Sequence, residues 1–315
     1  MKRKFEHKES IIKSHLYLKD LSKNLNRLVI LSSPFLAEQI FENAKKEIGQ
    51  RSVYFLPHSE TLPYDFFSSS NEIKNERIRT LSKINYQNSL ILVCSIQALM
   101  SPCSDKNHLL PINVLKVKDR LYRNKFLSSL NESGYKKKEL VTEVGEFATR
   151  GLVIDIFPSG SKYPVRIELD NEKIQSLRLF NPNNQLTTKK IESFLTLPPQ
   201  EYPLDQKSIE RFKKNWRNTF DVDEEESEIF EDISKGKKHE GAEMYLPLFF
   251  NKKITPIDYL NNLDQVYIDS NVFKVCEDYQ ELIYQRYEEY RYDIQRPLLN
   301  PSKLFLTKNE FNEFT

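Results

Sequence analysis

Two kinds of hydrophobic spacing succeed one another along this chain, and the switch between them limits the fold more than any single residue does. Residues 28–31 form a short apolar run. Ser33 then offers an N-cap with Pro34 at the first helical position, and Leu36, Ile40, Ala44 and Ile48 recur at helical spacing before Gly49. Residues 53–56 read as the next strand, 72–84 as another helix, and 89–95 as the continuous β-branched run of a buried parallel strand. Beyond about residue 120 the spacing drops to two: 152–157, 165–169 and 174–180 are short alternating segments separated by turn residues. Asp170-Asn171 is the expected hairpin turn, because Asn tolerates positive φ, and the slip in alternation between Ile174 and Leu177 predicts a bulge at Gln175 or Ser176. Pro198, Pro199 and Pro203 mark a linker, after which Ile209, Phe212, Trp216 and Phe220 restore helical spacing. The pattern predicts an α/β chain: residues 1–120 and 206–315 form one sheet-based domain, interrupted by a small antiparallel β domain at 121–205.

A chain of 315 residues, 39% hydrophobic and 29% charged, can bury a real core. Its longest apolar runs fall well short of the roughly 20 residues that a spanning helix requires. The basic start is followed by Glu9, Ser10 and Lys13 rather than by an apolar segment, and three cysteines (Cys94, Cys103, Cys276) without paired spacing suit a reducing compartment. The expectation is a cytoplasmic protein with no membrane partner. A net charge of +2 argues against a surface given over to nucleic acid. Two local concentrations, Lys136 to Lys138 and the acidic stretch 221–232, read as solvated faces.

Several chemistries are missing. A phosphate loop needs glycines after the first strand so that backbone N–H groups can close around an anion, yet Gly49 is the first of seven glycines and none falls in a G-x-x-x-x-G-K-[ST] or G-x-G-x-x-G pattern. The five histidines are scattered and no CxxC or HExxH occurs, so neither metal nor cofactor is expected. Ser159-Gly160-Ser161 reads as a turn, not as the G-x-S-x-G of a nucleophile elbow. No catalytic residue is assigned.

What remains is a face that could bind. In 165–169 the period of two puts Arg166 and Glu168 opposite Ile167 and Leu169, and in the next strand Arg178 and Phe180 lie opposite Leu177 and Leu179. Two arginines, a glutamate and an exposed aromatic have the composition of a protein-protein hot spot, with Arg150 joining if Gly151 bulges its strand; Phe180 could equally tuck under the loop 181–184. The competing reading is the solvated side of a one-sided sheet, with Arg178 and Glu168 merely paired across strands.

At this point the residues resemble a known family. LPHSETLPYD at 56–65 looks like a segment of the bacterial transcription-repair coupling factors, and EVGEFATRGLVIDIFPSGSKYPVRIEL at 143–169 with SLRLFNPNNQ at 176–185 resembles the domain those factors share with UvrB. WRNTF at 216–220, residues 234–236 and EGAEMYLPLFF at 240–250 keep the coupling-factor order. The resemblance implies a degenerate RecA-like domain carrying an inserted, UvrA-binding β domain, with Arg150, Arg166 and Glu168 at positions that meet UvrA; Arg178 and Phe180 are added as sharing the pattern and the face. It implies a non-catalytic module that recruits UvrA, while RNA polymerase and DNA are met by domains beyond this chain. Two departures stand out: the glycine-free, lysine-rich stretch 7–26 where relatives often keep a glycine-bearing remnant, and Leu186 where an arginine is common. The alternatives are a UvrB-like ATP-dependent damage-verifying protein, which the missing phosphate loop opposes, and direct DNA binding through Lys136 to Lys138 and the lysine-rich start.

Overall fold

Five consecutive buried residues, as in Arg27–Leu31, need strand neighbours on both edges and cover on both faces. A computed structural model, which describes residues 4–8, 25–48, 52–85 and 90–315, supplies both. The parallel sheet is built from β1 (Lys4–Lys8), β2 (Arg27–Leu31), β3 (Val53–Leu56), β4 (Ile91–Ser95) and, from the far end of the sequence, β13 (Gln265–Asp269), in the order β1-β13-β2-β4-β3. Leu28 pairs with Val266 and Ile30 with Ile268, so the third segment of the chain completes a sheet begun by the first. Val29, Leu31, Ile91 and Val93 face Ala37 and Ala44 of the helix Pro34–Ile48, whose first turn is capped by Ser33 Oγ accepting from the Leu36 N–H at 3.2 Å. Leu28, Ile30, Leu92 and Cys94 face the other way, onto Ile78 and Leu81 of the helix Asn71–Ile84. Gly49, Ser89 and residues 9–24 of the lysine-rich stretch lie outside the described residues.

The second sheet contains β6 (Lys136–Lys137), β7 (Glu146–Arg150), β8 (Val153–Ile156), β9 (Val165–Asp170), β10 (Lys173–Phe180) and β11 (Thr187–Ile191), antiparallel except for the short β6–β7 pair. At its base β5 (Asn113–Lys116) pairs with β12 (Ser193–Thr196), bringing the entering and leaving chain together. One face of the sheet, with Phe147, Ile154, Ile156, Ile167 and Leu177, is buried against Phe126 and Leu130 of the helix Arg123–Glu132. Asp170 pairs with Lys173, so the two turning residues are Asn171 and Glu172, one position beyond the expected pair, and Asn171 has the anticipated positive φ of 52°. The register slips between Ile174 and Ser176, which makes Gln175 the bulged residue. The chain is therefore a mixed α/β protein with one parallel and one largely antiparallel sheet. Among the described residues no helix is long and apolar enough to cross a membrane.

Most of the sequence motifs outside the second sheet are explained by packing. In the helix Gln206–Thr219, Phe212 stacks on Phe249 with ring centroids 4.7 Å apart, and Trp216 lies 5.5 Å from Tyr245. Tyr64, at φ 63°, buries its ring and donates its hydroxyl to the Leu299 carbonyl at 2.8 Å, while Asp65 holds Arg286. The loop at 56–65 thus anchors the long helix Val272–Tyr290 to the parallel sheet.

A buried ion pair ties the linker after the second sheet to the helix Asn71–Ile84, which packs on the first. Arg77 and Glu201 are each 4% exposed, with Arg77 Nε donating to Glu201 Oε1 at 3.1 Å and its Nη1 and Nη2 donating to the Pro57 and Pro102 carbonyls, both at 3.0 Å. Nearby, burial first and the Arg77 charge second pull His58 down to about 4, and its ring stays neutral beside the Tyr279 hydroxyl at 3.2 Å. Because the folded value lies below the unfolded value of about 6.5, the unfolded chain takes up the proton first as pH falls. This contribution is complete above about pH 6.5 and is lost progressively down to about pH 4. Denaturant midpoints measured across that window should fall with pH, and His58→Gln should flatten the part of the slope that His58 causes; an identical slope in the variant would refute the assignment.

Candidate functional site

The second face of the antiparallel sheet carries the charged residues singled out in the sequence, and strand register explains how they meet. Ala148 pairs with Asp155, Asp155 with Arg166, Arg166 with Arg178, and Arg178 with Lys190, a transverse row over five strands. The next row contains Arg150, Val153, Glu168 and Ser176. Four of the five predicted positions, Arg150, Arg166, Glu168 and Arg178, thus share one face and stay in partial or full contact with solvent.

Each is held differently. Asp155, 5% exposed, takes Arg166 through both carboxylate oxygens: Nε to Oδ1 and Nη2 to Oδ2, both at 2.8 Å. That fork fixes the guanidinium plane, and the Asp155 hydrogen bond holds Arg166 above its ordinary value. Glu168 accepts the Ser176 hydroxyl and stands 3.6 Å from Arg178 Nη2, each partner about a third exposed. This is the cross-strand pair of the solvated-face reading, and at such exposure it contributes ~1 kcal/mol or less. Arg150 is exposed and donates from Nη2 to the Glu139 carbonyl at 2.9 Å. Gly151 does not bulge the strand: Arg150 pairs with Val153, so Gly151 and Leu152 form a two-residue turn, with Gly151 at φ 57°.

Phe180 requires a correction. It lies on the expected face, with the Arg166 guanidinium 4.9 Å above its ring, but it is 0% exposed and belongs to a small second core with Val141, Ala148 and Phe157. The segment around Val141 folds over this end of the sheet, where Gln185 Nε2 donates to the Val141 carbonyl at 3.1 Å. Phe180 is a floor under Arg166 and not an exposed anchor. Phe180→Leu is accordingly expected to cost on the order of 1–2 kcal/mol of stability. An unchanged denaturant midpoint would restore the exposed-anchor reading.

Two features escaped the sequence reading. Asp155, the clamp on Arg166, is visible only once register is known. Leu140, Leu152 and Leu186, in the segments bordering the face, are 48, 54 and 66% exposed and supply the apolar surface that Phe180 does not. Among the described residues no group of three or more His, Cys, Asp or Glu is arranged to hold a metal ion.

Comparison with known proteins gives these residues a context. The model of the UvrB interaction domain family matches residues 114–202, which contain the whole second sheet. The transcription-repair-coupling factor of Haemophilus influenzae is 34% identical over 302 residues, covering 94% of this chain and 26% of that protein. The one from Escherichia coli K12 is 33% identical over 288 residues, 90% of this chain and 25% of the relative. That of Rickettsia conorii is 29% identical over 314 residues, 96% and 28%. The chain spans about a quarter of the length of these relatives.

Proposed function

We propose, from the premise that this chain is a homologue of the UvrB-like amino-terminal region of the transcription-repair-coupling factors, that it is a non-catalytic docking module that recruits UvrA. The docking face is the charged side of the second sheet, with Arg150, Arg166, Glu168 and Arg178 as its polar contacts and Phe180 acting from beneath. In this reading residues 1–120 and 206–315 are a degenerate RecA-like scaffold and 121–205 is the inserted binding domain. RNA polymerase and DNA are engaged by parts of the family protein beyond this chain, and the module works in the cytoplasm.

The observation that carries the proposal is the transverse row across β8 to β11. Three cations, Arg166, Arg178 and Lys190, are lined up by backbone pairing, and the first is locked by a bidentate carboxylate. Side chains held on paired strands lose little freedom when a partner arrives, which favours an interface over a merely solvated surface. Leu140 and Leu186 border the row and give it an apolar rim. The test is titration of purified chain into UvrA at several salt concentrations. A complex that weakens as salt rises is expected; no binding at any salt concentration removes the proposal.

A further inference from the structure

A cleft of about 250 Å³ lies between the start of the helix Asn71–Ile84, strand β6 and residues 238–243, far along the second sheet from β11. Four lysines line it: Lys74 in the first helical turn, Lys136 and Lys138 from β6 and its continuation, and Lys238. Alternation along β6 explains why Lys136 and Lys138 share the cleft while Lys137, between them, does not line it. Among the described residues none of the four lies within 4.0 Å of a carboxylate, although ion pairs abound elsewhere in the chain.

Four glutamates also line the cleft, and three are already engaged. Glu146 accepts the N–H groups of Thr142 and Glu143 at 2.9 and 3.0 Å. Glu240 accepts the Ser68 N–H at 3.0 Å. Glu243 accepts the Ser68 hydroxyl at 2.7 Å and is raised by burial. These neutral donors fix three of the carboxylates without cancelling their charge; the cleft therefore sets four ammonium groups against four carboxylates, of which burial pushes Glu243 toward its neutral form, and no lysine is paired with any of them within 4.0 Å among the described residues. The ammoniums feel one another: partial withdrawal from water first, then Lys136 and Lys74, pull Lys238 down to about 8 against the opposing charge of Glu243, even though its side chain still reaches solvent. Cations gathered around a recess with that mutual repulsion are stabilised by an incoming anion, and the positive end of the helix adds to the same field.

We propose that this cleft binds a compact phosphorylated anion, a pyrophosphate or the phosphate chain of a nucleotide, gripped by Lys74, Lys136, Lys138 and Lys238. The site is separate from the docking face and does not depend on it. It is also unrelated to a phosphate loop, since side-chain ammoniums rather than backbone amides would hold the ligand. A chain of phosphates matches it better than a single phosphate because the lysines approach from three elements.

The test is calorimetric titration of the full chain with inorganic pyrophosphate and, separately, with ATP. Pyrophosphate is expected to bind, and Lys136→Ala combined with Lys238→Ala should weaken it at least ~10-fold. Both side chains are exposed, so the fold should be retained, and Lys137→Ala should leave binding unchanged. Similar affinities for the two ligands identify the phosphate chain as the recognised group. The proposal is overturned if pyrophosphate fails to bind at millimolar concentration, if the double variant binds as well as the parent, or if ATP binds and pyrophosphate does not.

Discussion

Replacing Arg77 by methionine is expected to lower the unfolding free energy by about 3–5 kcal/mol. The reason is what the substitution leaves behind. Glu201, 4% exposed, would lose the guanidinium 3.1 Å away, and the Pro57 and Pro102 carbonyls would each lose a donor in the same stroke. An isolated buried carboxylate is far more costly than the pair it came from, because the pair's mutual attraction offsets most of the desolvation. The double variant Arg77→Met, Glu201→Gln should therefore recover much of the lost stability. Chemical denaturation of the two variants and the parent decides the matter. If the double variant is as unstable as the single one, the loss lies in the two carbonyls and not in the stranded charge.

The same pair shows where reading the sequence stopped. Strands β2, β3, β4, β8, β9 and β10 were legible because burial on one or both faces imposes a local period, and the Asn171 turn and Gln175 bulge follow from local backbone chemistry. Arg77 and Glu201 stand 124 positions apart, and nothing local marks either as buried. Phe180 failed for a related reason. Alternation placed it correctly on the face of Arg166, but its cover, Val141, comes from the connection between β6 and β7, and no period in β10 records that. Asp155 likewise looks ordinary until register sets it opposite Arg166. The motifs of the third segment are recognisable from residue order alone, and Trp216 and Phe249 within them are buried aromatic packing.

The second large effect concerns the proposed docking face. Arg166→Ala together with Arg178→Ala is expected to weaken UvrA binding ~100-fold or more, the sum of two charge-assisted contacts at ~1.5–3 kcal/mol each. Stability should suffer less. Arg178 meets Glu168, about a third exposed, and the Ser176 hydroxyl at 3.4 Å, so its removal is nearly neutral, whereas Arg166→Ala strands the Asp155 carboxylate and uncovers one side of Phe180. A triple variant with Asp155→Asn separates the two effects, since it restores a neutral partner beneath the missing guanidinium without restoring the cations. Binding still lost in a triple variant of near-parental stability places the arginines at the interface. Recovery of binding would mean that they act only by holding the sheet.

Calorimetry of the purified chain with UvrA tests most directly whether the charged face of the antiparallel sheet is a UvrA dock. Binding at micromolar concentration or tighter, abolished in the Arg166→Ala, Arg178→Ala variant, is the predicted result. A parent chain that gives no binding, or a double variant that binds as tightly as the parent, would contradict it.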